Sequence, residues 1–190
     1  MGKVILVSAT PLEHGGLKDL NGVPIFQVGI GKTNSAMNMT EIILKEKPDL
    51  VVNFGSCGNL KNHKVGEVIE VGTTYNNIDV RPFAEYGCTP ESNECEIKLS
   101  DSGISCFSTD QIYDNTRTDY AHKYLQMIAN CDIVDMECYP LAYVCKKYGV
   151  EFKSYKWVSD DGDVDKWEEN AAIGFQNFRE HFLQYFFGEY

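Results

Sequence analysis

Three carboxylates and one hydroxyl stand where short apolar stretches of this 190-residue chain run out. Glu13 follows Lys3–Ser8, Ser56 follows Leu50–Phe54, Glu137 follows Ile133–Met136 and Asp160 follows Phe152–Val158. Carboxylates placed around a substrate can divide acid and base duties between them. Each residue also has a plainer reading. Thr10-Pro11-Leu12-Glu13 matches a capping box, with Thr10 as cap, Pro11 at the first helical position and Glu13 reaching back. Gly15-Gly16 would break such a helix after one turn. Glu137 also fits a solvated strand end. Asp160, Asp161 and Asp163 also fit loop charges, or a Mg²⁺ site, which would ordinarily hold substrate phosphates as well.

Other motifs fail on inspection. Gly29-Ile30-Gly31-Lys32-Thr33 lacks the glycine a P-loop needs five residues before Gly31, where Phe26 stands. A dinucleotide fingerprint needs Gly or Ala at Asn34. The glycines therefore read as a tight strand-to-helix turn. His14, His63, His122 and His181 have no partner at metal-binding spacing, so no metal and no cofactor is expected. Ser56 lies in Gly-Ser-Cys-Gly, a poor nucleophile elbow. Cys131, Cys138 and Cys145 straddle a strand and a helix and read as packing residues.

The elements that must hold these residues alternate along the chain. Apolar runs predict strands at Lys3–Ser8, Val23–Val28, Leu50–Phe54, Gly66–Val80, Ile104–Ser108, Ile133–Met136 and Phe152–Val158. Helical spacing follows from Thr33 to Lys47, across Tyr120, Tyr124 and Ile128, and from Leu141 to Tyr148 between Pro140 and Gly149. A last helix presents Ala171, Phe175, Phe178, Phe182 and Phe186 on one face, and residues 84–103 read as a loop. That order predicts a single α/β domain over residues 1–190, with three αβα layers around a central, mostly parallel (mixed) sheet. Ligands of such sheets bind beyond the carboxyl ends of the strands.

Composition narrows the function classes. A net charge of −11 disfavours nucleic acid, and no apolar run approaches the ~18 residues of a membrane span. The start Met1-Gly2-Lys3 turns polar too soon for a signal peptide. Seven cysteines without a Cys-x-x-Cys pair argue against a disulfide framework or zinc ribbon, and for a reduced, cytoplasmic protein.

Taken together, the segments resemble the purine nucleoside phosphorylase and nucleosidase superfamily, in particular its methylthioadenosine/S-adenosylhomocysteine nucleosidase branch. The blocks Val28–Ala36, Lys47–Leu60, Val65–Val68, Val134–Glu137 and Val158–Asp160 stand in family order and span most of the chain. The resemblance implies a nucleoside phosphorylase-like fold, a homodimer and a purine nucleoside as small-molecule partner. It assigns Glu13 to activating the attacking water, with Ser56 positioning that water. Met136 would lie under the ribose, and Glu137 would hold its hydroxyls. Asp160 would protonate purine N7 with Ser159 in support, and Ile112 and Tyr113 would neighbour the base. Phe83 and Trp167 are candidates for the wall around the 5′ group. Ile112 stands where the family often has Phe, Lys156 stands where it often has an Arg near the water, and residues 84–103 are shorter than the family's.

The residue types suit that chemistry. An N-glycosidic bond breaks through an oxocarbenium-like state, so the base leaves better once protonated and carboxylates stabilise the charge on the sugar. Phosphorolysis would instead need cations, above all arginine. Phosphorylases resembling this block carry Arg where Asn53 stands, and the chain has only Arg81, Arg117 and Arg179. The expected activity is hydrolysis of a purine nucleoside, of adenine by preference, with an apolar or thioether 5′ group. The alternatives are a phosphorylase of the same fold and an inactive nucleoside-binding protein.

Overall fold

The computed structural model describes residues 2–90 and 92–188. Met1, Glu91, Glu189 and Tyr190, and with them the ends of the expected 1–190 domain, lie outside the described residues.

In chain order the elements are β1 (Val4–Ser8), β2 (Asp19–Leu20), β3 (Val23–Gln27), α1 (Lys32–Glu46), β4 (Leu50–Asn59), β5 (Val68–Glu70), β6 (Thr73–Asn76), β7 (Glu96–Lys98), β8 (Ser105–Ser108), α2 (His122–Asn130), β9 (Ile133–Asp135), α3 (Cys138–Tyr148), β10 (Glu151–Asp160) and α4 (Trp167–Phe187). Short 3-10 turns at Pro11–Glu13 and Val164–Lys166 precede β2 and α4.

The centre of the sheet is parallel. β1 lies between β3 and β4, β4 pairs with β10, and β6, β8 and β9 form a second parallel set. Antiparallel pairs add β2 to β3, β5 to β10 and β7 to β6. The two sets meet where Gly58 and Asn59, at the end of β4, pair antiparallel with Val134 and Ile133 of β9.

Period-two alternation sorts the strand residues onto two faces. Ile5 and Val7 of β1, Val51 of β4 and Phe152 and Val158 of β10 pack with α1 and α3, through Met39, Ile43, Leu141 and Val144. Leu6, Val52, Phe54, Tyr155 and Trp157 point the other way, onto Phe175, Phe178 and Phe182 of α4. Phe107 and Val134 meet Tyr124 and Ile128 of α2. The result is the expected three-layer αβα arrangement.

Four expectations need correction. β4 does not stop at Phe54 but runs on through Gly55-Ser56-Cys57-Gly58, because β10 pairs with it residue by residue from Leu50 to Cys57. Sheet pairing there overrides glycine's weak strand preference. Gly66–Val80 is not one strand: β5 pairs with β10 and β6 with β8, so the chain crosses between the two parallel sets around Val71-Gly72. Residues 84–103 are not all loop, since they hold β7 and a Thr89–Glu94 bridge. Nor are all seven cysteines reduced, because a Cys88–Cys95 disulfide closes that bridge. The pairing depends on a hairpin that cysteine spacing alone does not reveal. Among the described residues the other five cysteines are free and buried.

The contact between α4 and β10 leaves no spare room. A methyl group on Gly174 would sit 1.8 Å from Cδ1 of the fully buried Trp157. Gly174→Ala is expected to lower the melting temperature by roughly 2 to 12 °C, the equivalent of overpacking a core of this size. Thermal unfolding followed by circular dichroism checks this, and an unchanged midpoint would contradict the packing described.

Candidate active site

Glu13 is held by the chain around it. β1 ends at Ser8, and the turn at Pro11–Glu13 folds the side chain back beneath its own backbone. Oε2 accepts the Ala9 N–H at 3.0 Å and the Thr10 N–H at 3.3 Å. Oε1 accepts the Ser56 N–H at 2.8 Å and the Ser56 hydroxyl at 3.0 Å. The reach to Thr10 is the carboxylate half of the capping box, so the capping and site readings of Glu13 describe one geometry. Gly55 makes the approach feasible, because a Cβ there would lie 2.7 Å from Glu13 Oε1.

Asp160 owes its aim to a bulge. β10 stays in register with β4 up to Val158 opposite Cys57, and Asp160 is then opposite Gly58, leaving Ser159 as an extra residue. A bulge re-aims side chains that alternation would separate. Ser159 and Asp160 both face the same cavity, with the Ser159 hydroxyl donating to Asp160 Oδ2 at 2.7 Å and the Gly162 N–H to Oδ1 at 3.0 Å. Burial, reinforced by Asp161 and Asp163, pushes the Asp160 carboxyl above the usual range against these two hydrogen bonds.

Glu137 sits at the junction of β9 and α3. Its Oε1 accepts the Gly31 N–H at 2.9 Å. Asp135 positions it: Oδ2 accepts the N–H groups of Glu137 and Cys138 at 3.2 and 2.8 Å, and Oδ1 accepts the Ser108 hydroxyl at 2.6 Å. The Lys156 ammonium lies 2.8 Å from Asp135 Oδ2, and both side chains are buried. Burial works against both charges, but their mutual attraction holds Asp135 below and Lys156 above the ordinary values. Lys156 therefore anchors Asp135 and is not among the residues lining the cavity. Cys106, Asp135 and Cys138 also bring ligand-type atoms within 4.8 Å of one another, but the ammonium already on Asp135 opposes a metal ion there.

These residues surround a cavity of about 210 Å³. Of the candidates, Glu13, Ser56, Ile112, Tyr113, Met136, Glu137, Ser159 and Asp160 all line it, and so does Trp167. Phe83 does not: it is 88% exposed on the loop after β6, where no run of apolar neighbours draws it inward. Sequence reasoning misses Thr10, whose buried hydroxyl has no partner among the described residues, together with Ile30 and Gln111 in the wall. Thr10 is visible in the sequence only as a helix cap.

Comparison with known proteins shows the family. The family model described as "Phosphorylase superfamily" matches residues 13–93 and 96–186. A 5′-methylthioadenosine/S-adenosylhomocysteine nucleosidase from Exiguobacterium sp. is 31% identical over 179 residues, covering 83% of this chain and 73% of that protein. The Streptococcus pneumoniae MTA/SAH nucleosidase in complex with 8-aminoadenine superposes with a TM-score of 0.80 at 16% identity, covering 95% of this chain and 97% of that one. Futalosine hydrolase of Helicobacter pylori superposes at 0.76 with 20% identity, covering 95% and 97%.

Burial, with Asp135 and Glu13 nearby, pushes Glu137 up to about 8 against the pull of Lys156. An acid whose pKa is higher in the folded state binds more protons when folded, so its stabilisation is present at low pH and fades as pH climbs from the ordinary 4.5 towards 8. Glu137→Gln keeps an acceptor for Gly31 and removes that titration. The variant should melt progressively higher relative to the unmodified protein as pH rises across this window. Melting temperatures at matched pH values check it, and a gap that shrinks with pH would contradict the assignment.

Proposed function

The chain belongs to the phosphorylase superfamily and to its 5′-methylthioadenosine/S-adenosylhomocysteine nucleosidase branch, and we propose that it hydrolyses the N-glycosidic bond of an adenine nucleoside carrying an apolar or thioether 5′ group. The observation that carries this reading is the make-up of the cavity wall. Glu13, Asp135, Glu137 and Asp160 line it, and no lysine or arginine does among the described residues. Carboxylate groups there stabilise a cationic, oxocarbenium-like sugar, and the described wall offers no cation to hold a phosphate nucleophile. Asn53, at the position of the phosphorylases' arginine, is buried, with its amide donating to the Val7 carbonyl and accepting from the Ser154 hydroxyl.

In this mechanism Asp160 gives its proton to purine N7 as the bond to C1′ breaks, and Ser159 steadies the carboxylate that remains. Glu13 takes a proton from the attacking water, which Ser56 helps to place. Glu137 holds the ribose hydroxyls above Met136, and Ile112 and Tyr113 flank the base. The products are free adenine and free sugar.

The reading extends to a single-domain homodimer acting in the cytoplasm. Ile30 and Ile112 line the cavity yet are 49% and 57% exposed, apolar surface that a second copy would cover. Among the described residues no helix is long and apolar enough to cross a membrane.

Asp160→Asn is the cleanest test, because the amide can still meet Ser159 and Gly162. In Glu13→Gln, by contrast, the new amide would face backbone N–H donors on either side. Adenine release by Asp160→Asn should fall by roughly 10²-fold or more while nucleoside still binds, and Asp161→Asn should change it little. The 7-deaza analogue should be a very poor substrate. An essential Asp161 beside a dispensable Asp160 would overturn the assignment.

A further inference from the structure

The first turn of α4 touches both ends of the site. Trp167 Nε1–H donates to Ser56 Oγ at 2.8 Å, and Asn170 Nδ2 donates to the Ser159 carbonyl at 2.6 Å. Ser56 in turn donates to Glu13 Oε1 at 3.0 Å, so indole, hydroxyl and carboxylate form one chain. A serine hydroxyl has one proton and two lone pairs. With the indole occupying one lone pair and Glu13 receiving the proton, one lone pair of Ser56 is left.

We infer that Trp167 is a positioning residue that sets the direction of the Ser56 hydroxyl and thereby orients the attacking water. This rests on the hydrolase reading above. A water between Glu13 and Ser56 then donates one proton to each and keeps a lone pair free for C1′. Without the indole donor the hydroxyl is free to rotate and donate to the water, which takes up one of its two lone pairs, lowers its nucleophilicity and removes the second acceptor that orients it. Trp167 also walls the cavity, so its two roles separate kinetically: the wall acts on substrate binding, the donor on turnover.

Trp167→Phe keeps an aromatic wall and removes the donor. Its kcat should fall roughly 3- to 10-fold, the equivalent of one neutral hydrogen bond, with KM within about twofold of the unmodified enzyme. In a Ser56→Ala background the same change should cost almost nothing further, because the chain is already cut. Equal losses in both backgrounds, or a loss confined to KM, would overturn the proposal. A second readout does not need turnover. The chain has two tryptophans, so its amide NMR spectrum holds two indole N–H signals. Ser56→Ala should shift the Trp167 signal, which Trp167→Phe assigns by removing it. An unmoved Trp167 signal would overturn the hydrogen bond itself. A shifted signal in a protein that hydrolyses no nucleoside would instead overturn the functional reading and keep the bond.

Discussion

The carboxylate of Asp135 is the constraint on which the site depends. It closes β9, caps the first turn of α3 and accepts from Ser108 on β8 and Lys156 on β10. Four elements are thus referred to one buried charge. Desolvating such a pair costs several kcal/mol per ion, and removing one partner typically costs about 3–5 kcal/mol, because the other is left uncompensated. The pair therefore contributes position more than net stability. Glu137, two residues on, inherits its place from it.

The remaining chemistry is arranged along β4. Gly55 admits the Glu13 carboxylate, and Gly58 lies opposite Asp160 beyond the bulge at Ser159. Three residues of extended chain separate these glycines by roughly 10 Å, so base and acid work from opposite ends of one short segment. Glycines at both ends of Gly-Ser-Cys-Gly are explained by close side chains, Glu13 Oε1 at 2.7 Å from a Cβ on Gly55 and Val134 Cγ1 at 2.9 Å from one on Gly58, and the block needs no nucleophile elbow.

Much of this is legible in the sequence where apolar runs mark strands: the run to Ser8 ends with its strand, while those read to Met136 and Val158 end at Asp135 and Asp160. Pro140 and Gly149 mark α3 closely, and the aromatic spacing from Phe175 to Phe182 marks α4. What is not legible depends on partners far along the chain. The extension of β4 requires β10, the bulge at Ser159 requires a register only the sheet defines, and the Lys156–Asp135 pair joins residues from separate strands. The family resemblance suggests a place beside the water for Lys156, yet its ammonium turns to Asp135. Residue type alone points Phe83 inward, and the exposed loop after β6 carries it outward.

The central claim is that water, not phosphate, attacks the sugar. Reaction of methylthioadenosine in ¹⁸O-labelled water with excess phosphate, followed by mass spectrometry of the sugar product, tests it directly. Hydrolysis places one labelled oxygen on the free sugar at C1. An unlabelled sugar 1-phosphate as the main product would contradict the account.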